Sequence, residues 1–145
     1  MATSHVDPGM NIHENQIARE IVDASIQVHR ILDRVLLESV YESALTIELN
    51  RRGIKVAREY RSTVNYRGVE LGEGYRADML VSGKVLLELK SVERVQPVHK
   101  KQFLTYLRLS DRKLGLLLNF GEALMKNGIT RIVNDLPDSP PRPKP

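Results

Sequence analysis

The stretch RADMLVSGKVLLELKS, residues 76–91, places an Asp in one apolar run and a Glu and a Lys in the next. Charged side chains are rare inside apolar runs unless they are paired or bind something. The segment SGK, residues 82–84, is typical of a turn, so the stretch predicts a β-hairpin. An antiparallel hairpin brings Asp78, Glu88 and Lys90 close together in one charged cluster.

The length of the hairpin loop decides which side chains face each other. A three-residue loop pairs Val81 with Val85 and sets Asp78 opposite Glu88, with Cβ atoms about 4.5–5.5 Å apart. A two-residue loop would set Asp78 opposite Leu87 and mix charged with apolar side chains, so the sequence favours the three-residue loop. Regular alternation then predicts Arg76, Asp78 and Leu80 on one face of β-structure, with Ala77, Met79, Leu87 and Leu89 on the other.

Two carboxylates at this distance repel each other. In a poorly solvated place one of them takes up a proton unless a cation lies between them. Lys90 is one candidate cation, and Mg²⁺ or Mn²⁺ is another, because hard carboxylate oxygens suit these ions. An exposed cluster of ion pairs without any chemistry is the alternative, and the spacing of Asp78, Glu88 and Lys90 alone does not separate the two interpretations.

Helical and strand patterns surround this hairpin. Apolar positions three and four apart predict helices from about residue 14 to 31, within 36–53, and from 97 to about 109, with a short helical turn near 122–128. Alternation, or a continuous apolar run, predicts strands over residues 54–66, 74–81, 85–90, 114–120 and 129–134. The predicted order α-α-β-β-β-α-β-β is that of an α/β sandwich with a mixed sheet.

Composition limits the classes of protein that fit. The chain has 145 residues, no Cys, and 22 Lys and Arg against 18 Asp and Glu, for a net charge of +4. This mild basic excess permits a polyanionic partner without requiring one, and the lack of Cys excludes disulfides and thiolate metal sites. With no apolar stretch of ~18 residues and no signal-peptide core, we expect no membrane contact and a cytoplasmic location.

We predict a loose N-terminal segment at 1–13, one domain at 14–134 and a disordered Pro-rich tail at 135–145.

Several ordered motifs resemble the PD-(D/E)XK nuclease superfamily and, within it, the small bacterial GxxExxY proteins. The motifs are VHRILDRVLLESVYESAL, YRADMLV, LLELKSVERVQPVHKKQFLTYLRL, GLLLNFG and GITRIVN, spread over roughly residues 17–134. The resemblance implies a restriction-endonuclease-like α-β-β-β-α-β sandwich with a mixed central sheet flanked by helices.

Two positions depart from the family pattern. Ala77 stands where the superfamily name has Pro. Asp33-Arg34-Val35 replaces a Gly-Pro-Gly-like turn, so Val35 occupies the position of the Gly that begins the GxxExxY motif. Because Val resists backbone angles that Gly permits, the turn is expected to be reshaped, for example into a continuous or kinked helix.

The resemblance also implies roles for individual residues. Asp78 and Glu88 would bind the metal, with the Leu89 carbonyl as a possible further ligand. Glu38 would add a metal or water contact, and Lys90 would orient the attacking water and steady charge on the phosphate. Gln102 and Tyr106 match a Gln-x3-Tyr motif that would hold substrate phosphate or brace the site. His99 and Lys101, on the same helix, are candidate phosphate contacts or ordinary solvated residues.

The implied function is Mg²⁺- or Mn²⁺-dependent hydrolysis of phosphodiester bonds in DNA or RNA, since a bound metal ion activates water and offsets developing charge. A catalytically silent module that binds nucleic acid or protein is the alternative. A homo-oligomer whose substrate surface crosses two chains is a further possibility, because 145 residues leave little room for a long groove.

Overall fold

The structure, a computed structural model, describes residues 12–34 and 36–137. The elements are α1 (Glu14–Leu32), α2 (Glu38–Arg51), β1 (Val56–Tyr66), β2 (Val69–Val81), β3 (Val85–Lys90), α3 (Pro97–Ser110), β4 (Leu114–Asn119), a short 3-10 helix (Met125–Gly128) and β5 (Ile129–Val133). This order confirms the predicted α/β architecture. Of the predicted terminal segments, residues 1–11 and 138–145 lie outside the described residues, and the domain boundaries stay predictions.

The five strands form one mixed sheet in the order β1-β2-β3-β4-β5. Strands β3 and β4 are parallel, and the other neighbours are antiparallel. A parallel pair needs a long crossover, which α3 supplies between β3 and β4. The mixed sheet with helices on both faces agrees with the expected restriction-endonuclease-like sandwich.

Two apolar cores cover the two faces of the sheet. Helices α1 and α2 pack on one face, and α3 packs on the other through Phe103 and Leu107. Strand β4 is buried throughout: Leu116 belongs to the first core and Leu117 to the second, as predicted for a strand covered on both sides. Gly115 is required beneath α3, because a Cβ there would lie 2.6 Å from Cζ of Phe103.

The two hairpins close with left-handed residues. Val81 pairs with Val85, and Ser82 and Gly83 have φ of 52° and 67°, which confirms the three-residue loop. Between β1 and β2, Tyr66 pairs with Val69 across a two-residue turn. Strand β2 therefore begins five residues before its predicted start, because its exposed first half is paired with β1 although neither of its faces is buried.

The regular alternation predicted for β2 is wrong near Asp78. Ala77 packs in the α3-side core together with Leu80, whereas Met79 lies in the opposite core. Residues 77 and 79 of a regular strand would share a face, so β2 twists between them. Its neighbour β1 is distorted at the same level, where Glu59 has φ of 50°.

The turn between α1 and α2 is held from the core, and the expected continuous or kinked helix is wrong. Helix α1 ends at Leu32, and Asp33 adopts φ 63° and ψ −162° outside the helical region. The hydroxyl of buried Tyr41 donates to the Asp33 carbonyl at 2.7 Å and accepts from the Leu36 N–H at 3.1 Å. The substituted position Val35 lies outside the described residues.

Packing and ion pairs hold α2 at both ends. At its start, the Tyr41 ring stacks on Phe120 with centroids 4.5 Å apart. Just past its end, Nη1 of Arg52 lies 3.0 Å from Glu20 and 2.8 Å from Asp23 of α1. The first turn of α2 is therefore fixed relative to the sheet edge where Asp78 lies.

Candidate active site

The backbone pairing of β2 with β3 gives way to side-chain bonds at the charged hairpin. The last backbone pair on this side is Met79 with Leu87. Beyond it, the Leu89 N–H donates to Oδ2 of Asp78 at 2.7 Å. The Asp78 backbone lies near enough to the Glu88 carboxylate to exert a lowering effect on the pKa of Glu88, so the two carboxyl groups are neighbours at the end of the β2–β3 pairing.

Both carboxyl groups are only partly solvated, and their pKa values respond to that burial. Burial is the main cause that raises the pKa of Glu88 to about 7, and the nearby charge of Asp78 raises it further. Burial also raises the pKa of Asp78, against the lowering effect of the Leu89 N–H bond. Nζ of Lys90 lies 3.9 Å from Oε2 of Glu88, and this ammonium offsets only part of the negative charge.

Helix α2 adds two more carboxylates around Asp78. The charges of Glu42 and Glu38 both raise the pKa of Asp78, and Glu38 also acts on Glu88. Glu38 is exposed at the first position of the helix. Glu42 was not among the predicted site residues; its signal in the sequence is its spacing of four from Glu38, which places both on one helix face.

Glu42 is already engaged by a neighbouring cation. Nη2 of Arg58 lies 3.2 Å from Oε2 of Glu42 and donates to the Ser43 hydroxyl at 3.1 Å. Its partnership with Arg58 distinguishes it from Glu38, whose carboxylate is open to solvent.

The carbonyl of Leu89 faces the same side as the two strand carboxylates. The N–H and C=O of one strand residue point to the same neighbouring strand. Since the Leu89 N–H is bonded to Asp78, the Leu89 carbonyl also points toward β2, where the backbone ladder has ended. Its orientation is consistent with the ligand role that the resemblance implies.

The Gln-x3-Tyr pair borders the cluster from α3. The charge of Glu88 contributes to the raised pKa of Tyr106, after burial, and a hydrogen bond from Gln102 opposes that rise. The Tyr106 ring stacks on Tyr75 of β2, with centroids 4.6 Å apart. Tyr106 therefore stands beside Glu88, and Gln102 reaches the cluster through the Tyr106 hydroxyl.

The other two α3 candidates lie elsewhere. Nδ1 of His99 accepts the Gln96 N–H at 3.2 Å and so belongs to the capping box that begins α3. Lys101 is exposed and forms no ion pair with any residue in the ranges that the structure describes. The structure therefore brings together Asp78, Glu88, Leu89, Lys90, Glu38, Gln102 and Tyr106, whereas His99 has a capping role and Lys101 remains on the solvated surface.

The oxygen ligands of this cluster suit a hard divalent cation, but only a few carboxylates lie together in the described residues. Two half-buried carboxylates and one carbonyl supply oxygen ligands, and their mutual repulsion favours a cation between them. Within residues 12–34 and 36–137, no three His, Asp or Glu side chains are gathered closely enough to hold a metal ion. Mg²⁺ often binds through only one or two carboxylates and keeps several waters, so Asp78 and Glu88 satisfy its needs.

Comparison with known proteins agrees with the fold. The family model described as PD-(D/E)XK nuclease superfamily matches residues 15–132, and the chain belongs to that superfamily. Membership suggests a nuclease-type function with a nucleic-acid substrate, and nucleases of this superfamily generally use divalent metal ions. No significant match was found among curated proteins or among solved structures. In the described part of the chain, no helix combines the length and apolar character needed to cross a membrane.

Proposed function

We propose that this protein is a metal-dependent nuclease that hydrolyses phosphodiester bonds in DNA or RNA, and that it is a member of the GxxExxY group. The observation that carries the proposal is the pair of half-buried carboxylates at the end of the β2–β3 pairing, where the Leu89 N–H holds Asp78 beside Glu88, with Lys90 alongside. Burying two like charges is costly, and a bound cation is the simplest compensation. The cluster is thus better explained by a function than by the stability of the fold.

In this proposal Asp78, Glu88 and the Leu89 carbonyl hold Mg²⁺ or Mn²⁺, with Glu38 as an outer contact. The bound ion supplies an activated water and a counter-charge for the phosphate. Lys90, whose ammonium is a compact and mobile point charge, orients that water and attracts a phosphate oxygen. Tyr106, held by Gln102, limits the movement of the Glu88 side chain and presents its hydroxyl to the substrate.

Cleavage of labelled single- and double-stranded DNA and RNA in Mg²⁺, Mn²⁺ or EDTA tests the proposal. We expect metal-dependent cleavage that falls by about 10²-fold or more in Asp78→Ala and Lys90→Ala, because each removes a charge that acts on the reacting phosphate. Asp111→Ala, an exposed carboxylate that caps α3, is the matched control and should leave cleavage unchanged. Cleavage that persists in EDTA, or in Asp78→Ala, would contradict the proposal.

A catalytically silent binding module is the second candidate. It is favoured by the incomplete set of gathered carboxylates, since in the described residues only two strand carboxylates meet and Glu38 stays exposed. Salt-sensitive binding of nucleic acid without cleavage of any substrate, unaffected by Asp78→Ala, would support this module instead.

A further inference from the structure

Two arginines stand directly opposite each other next to Asp78. Arg61 of β1 is the register partner of Arg76 of β2. Ala77 packs under α3, so its neighbour Arg76 points to the opposite face, the face of α2, whose Glu42 and Glu38 charges act on Asp78. Directly opposite residues share a face, which places Arg61 there too. Arg76 and Asp78 are two positions apart, about 7 Å along the strand.

The two arginines lie beyond the point where β3 stops pairing with β2. Strand β3 pairs with β2 only as far as Met79, so the part of the β1–β2 hairpin that carries Arg61 and Arg76 projects past the carboxylate cluster. Both arginines are exposed. A ligand strand that reaches Asp78 and Glu88 can therefore continue across them without displacing any element.

The positive charge of this pair is largely uncompensated. Like charges directly opposite each other destabilise an antiparallel pair of strands. Arg61 has one distant partner, Glu73, at 3.9 Å, and the Arg76 side chain has no ion pair or hydrogen bond with any described residue. Arg58, three residues before Arg61 in β1, is bonded to Glu42 and Ser43. The arrangement thus keeps a pair of guanidinium groups available beside the candidate active site.

We propose that Arg61 and Arg76 form a clamp for one backbone phosphate of a polynucleotide, adjacent to the phosphate that lies at Asp78 and Glu88. Guanidinium groups match the geometry of phosphate oxygens, and a bound phosphate removes the repulsion between the two arginines. The placement of this phosphate next to the cleaved bond rests on the proposed nuclease function. The binding of a phosphate by Arg61 and Arg76 does not depend on that function.

Nucleic-acid binding at several salt concentrations tests the clamp. Fluorescence anisotropy of labelled oligonucleotides is measured with Arg61→Gln/Arg76→Gln, in a Glu88→Gln background that prevents cleavage. The slope of log Kd against log salt should fall by about 0.9 on duplex and about 0.7 on single strands, because the contact with one phosphate is lost. Arg19→Gln/Arg51→Gln, which removes two exposed arginines, one in α1 and one at the last residue of α2, is the charge-matched control and should keep the original slope.

Thermal unfolding separates binding from a structural role. At low salt, Arg76→Gln should raise the melting temperature of the free protein, because the like-charge pair is removed. A lower melting temperature would overturn the clamp and give Arg76 a structural role. Equal slopes in the clamp variant and its parent, or equal losses in the clamp and control variants, would also overturn it.

The clamp and the nuclease proposal can fail separately. If no substrate is cut but the salt slope falls as expected, the clamp stands and the hydrolytic function is rejected. If metal-dependent cleavage occurs while Arg61→Gln/Arg76→Gln changes neither KM nor the salt slope, the nuclease stands and the clamp is rejected.

Discussion

At the scale of single residues, Asp78 and Glu88 are half-buried, and the charge of Asp78 adds to the rise in the pKa of Glu88 that burial causes. Their proximity could be predicted from the sequence, because a three-residue loop fixes which hairpin residues face each other. Glu42 could not be singled out in the same way: an acidic residue on a helix surface is common, and its proximity to Asp78 depends on how α2 crosses the sheet.

The raised pKa of Glu88 predicts how stability changes with pH in the metal-free protein. Its pKa is about 7 in the folded state against an ordinary 4.5, so folding favours the protonated form. The resulting stabilisation is fully present below about pH 4.5 and is lost as pH rises through about 7. In EDTA, the free energy of unfolding should fall by up to about 3 kcal/mol over this range relative to Glu88→Gln.

The comparison is made by thermal or denaturant unfolding of the two proteins at matched pH values. Glu88→Gln removes this ionisation while preserving the shape of the side chain. Parallel stability curves for the two proteins between about pH 4.5 and about pH 8 would show that Glu88 titrates normally, and would contradict the burial of its charge.

At the scale of elements, the helices and the buried strands could be predicted because their apolar periodicity is strong. The first half of β2 could not, since residues 69–74 are exposed on both faces and only backbone pairing with β1 makes them a strand. The break in alternation at Asp78 also escaped prediction: it arises from a twist shared with Glu59 of the neighbouring strand, and sequence alternation carries no record of it.

The turn before α2 gives a prediction at this scale. Tyr41→Phe keeps the stack on Phe120 but removes the hydroxyl that joins the Asp33 carbonyl to the Leu36 N–H. We expect a loss of about 1–3 kcal/mol in the free energy of unfolding, because two polar groups lose their partner in a partly buried place. Chemical denaturation measures it, with Tyr66→Phe as the control, since the Tyr66 ring is 60% exposed.

Tyr41 also affects the candidate active site, because it holds the turn that precedes α2. Because the turn sets the start of α2, and Glu38 is its first residue, Tyr41→Phe should weaken any metal-dependent activity without touching a proposed ligand. A Tyr41→Phe protein as stable as the parent would contradict the account of this turn.

At the scale of the whole molecule, the sandwich brings three separate parts of the chain to one edge of the sheet. The β2–β3 hairpin supplies Asp78 and Glu88, the packing of α1 and α2 presents Glu38, and the crossover helix α3 sets Tyr106 beside Glu88. The family model spans residues 15–132, so it covers all three parts. We propose that these parts converge to hold one divalent cation.

Calorimetric titration of the protein with Mn²⁺ at about pH 7.5 measures whether these parts hold an ion. We expect binding of one ion that weakens by more than about tenfold in Asp78→Asn and in Glu88→Gln, since even the loss of an outer partner of a metal site costs about 10–100-fold in affinity. Asp111→Asn, outside the cluster, should bind like the parent. Equal Mn²⁺ affinity in all four proteins, or no binding to the parent, would show that the cluster does not hold a metal ion.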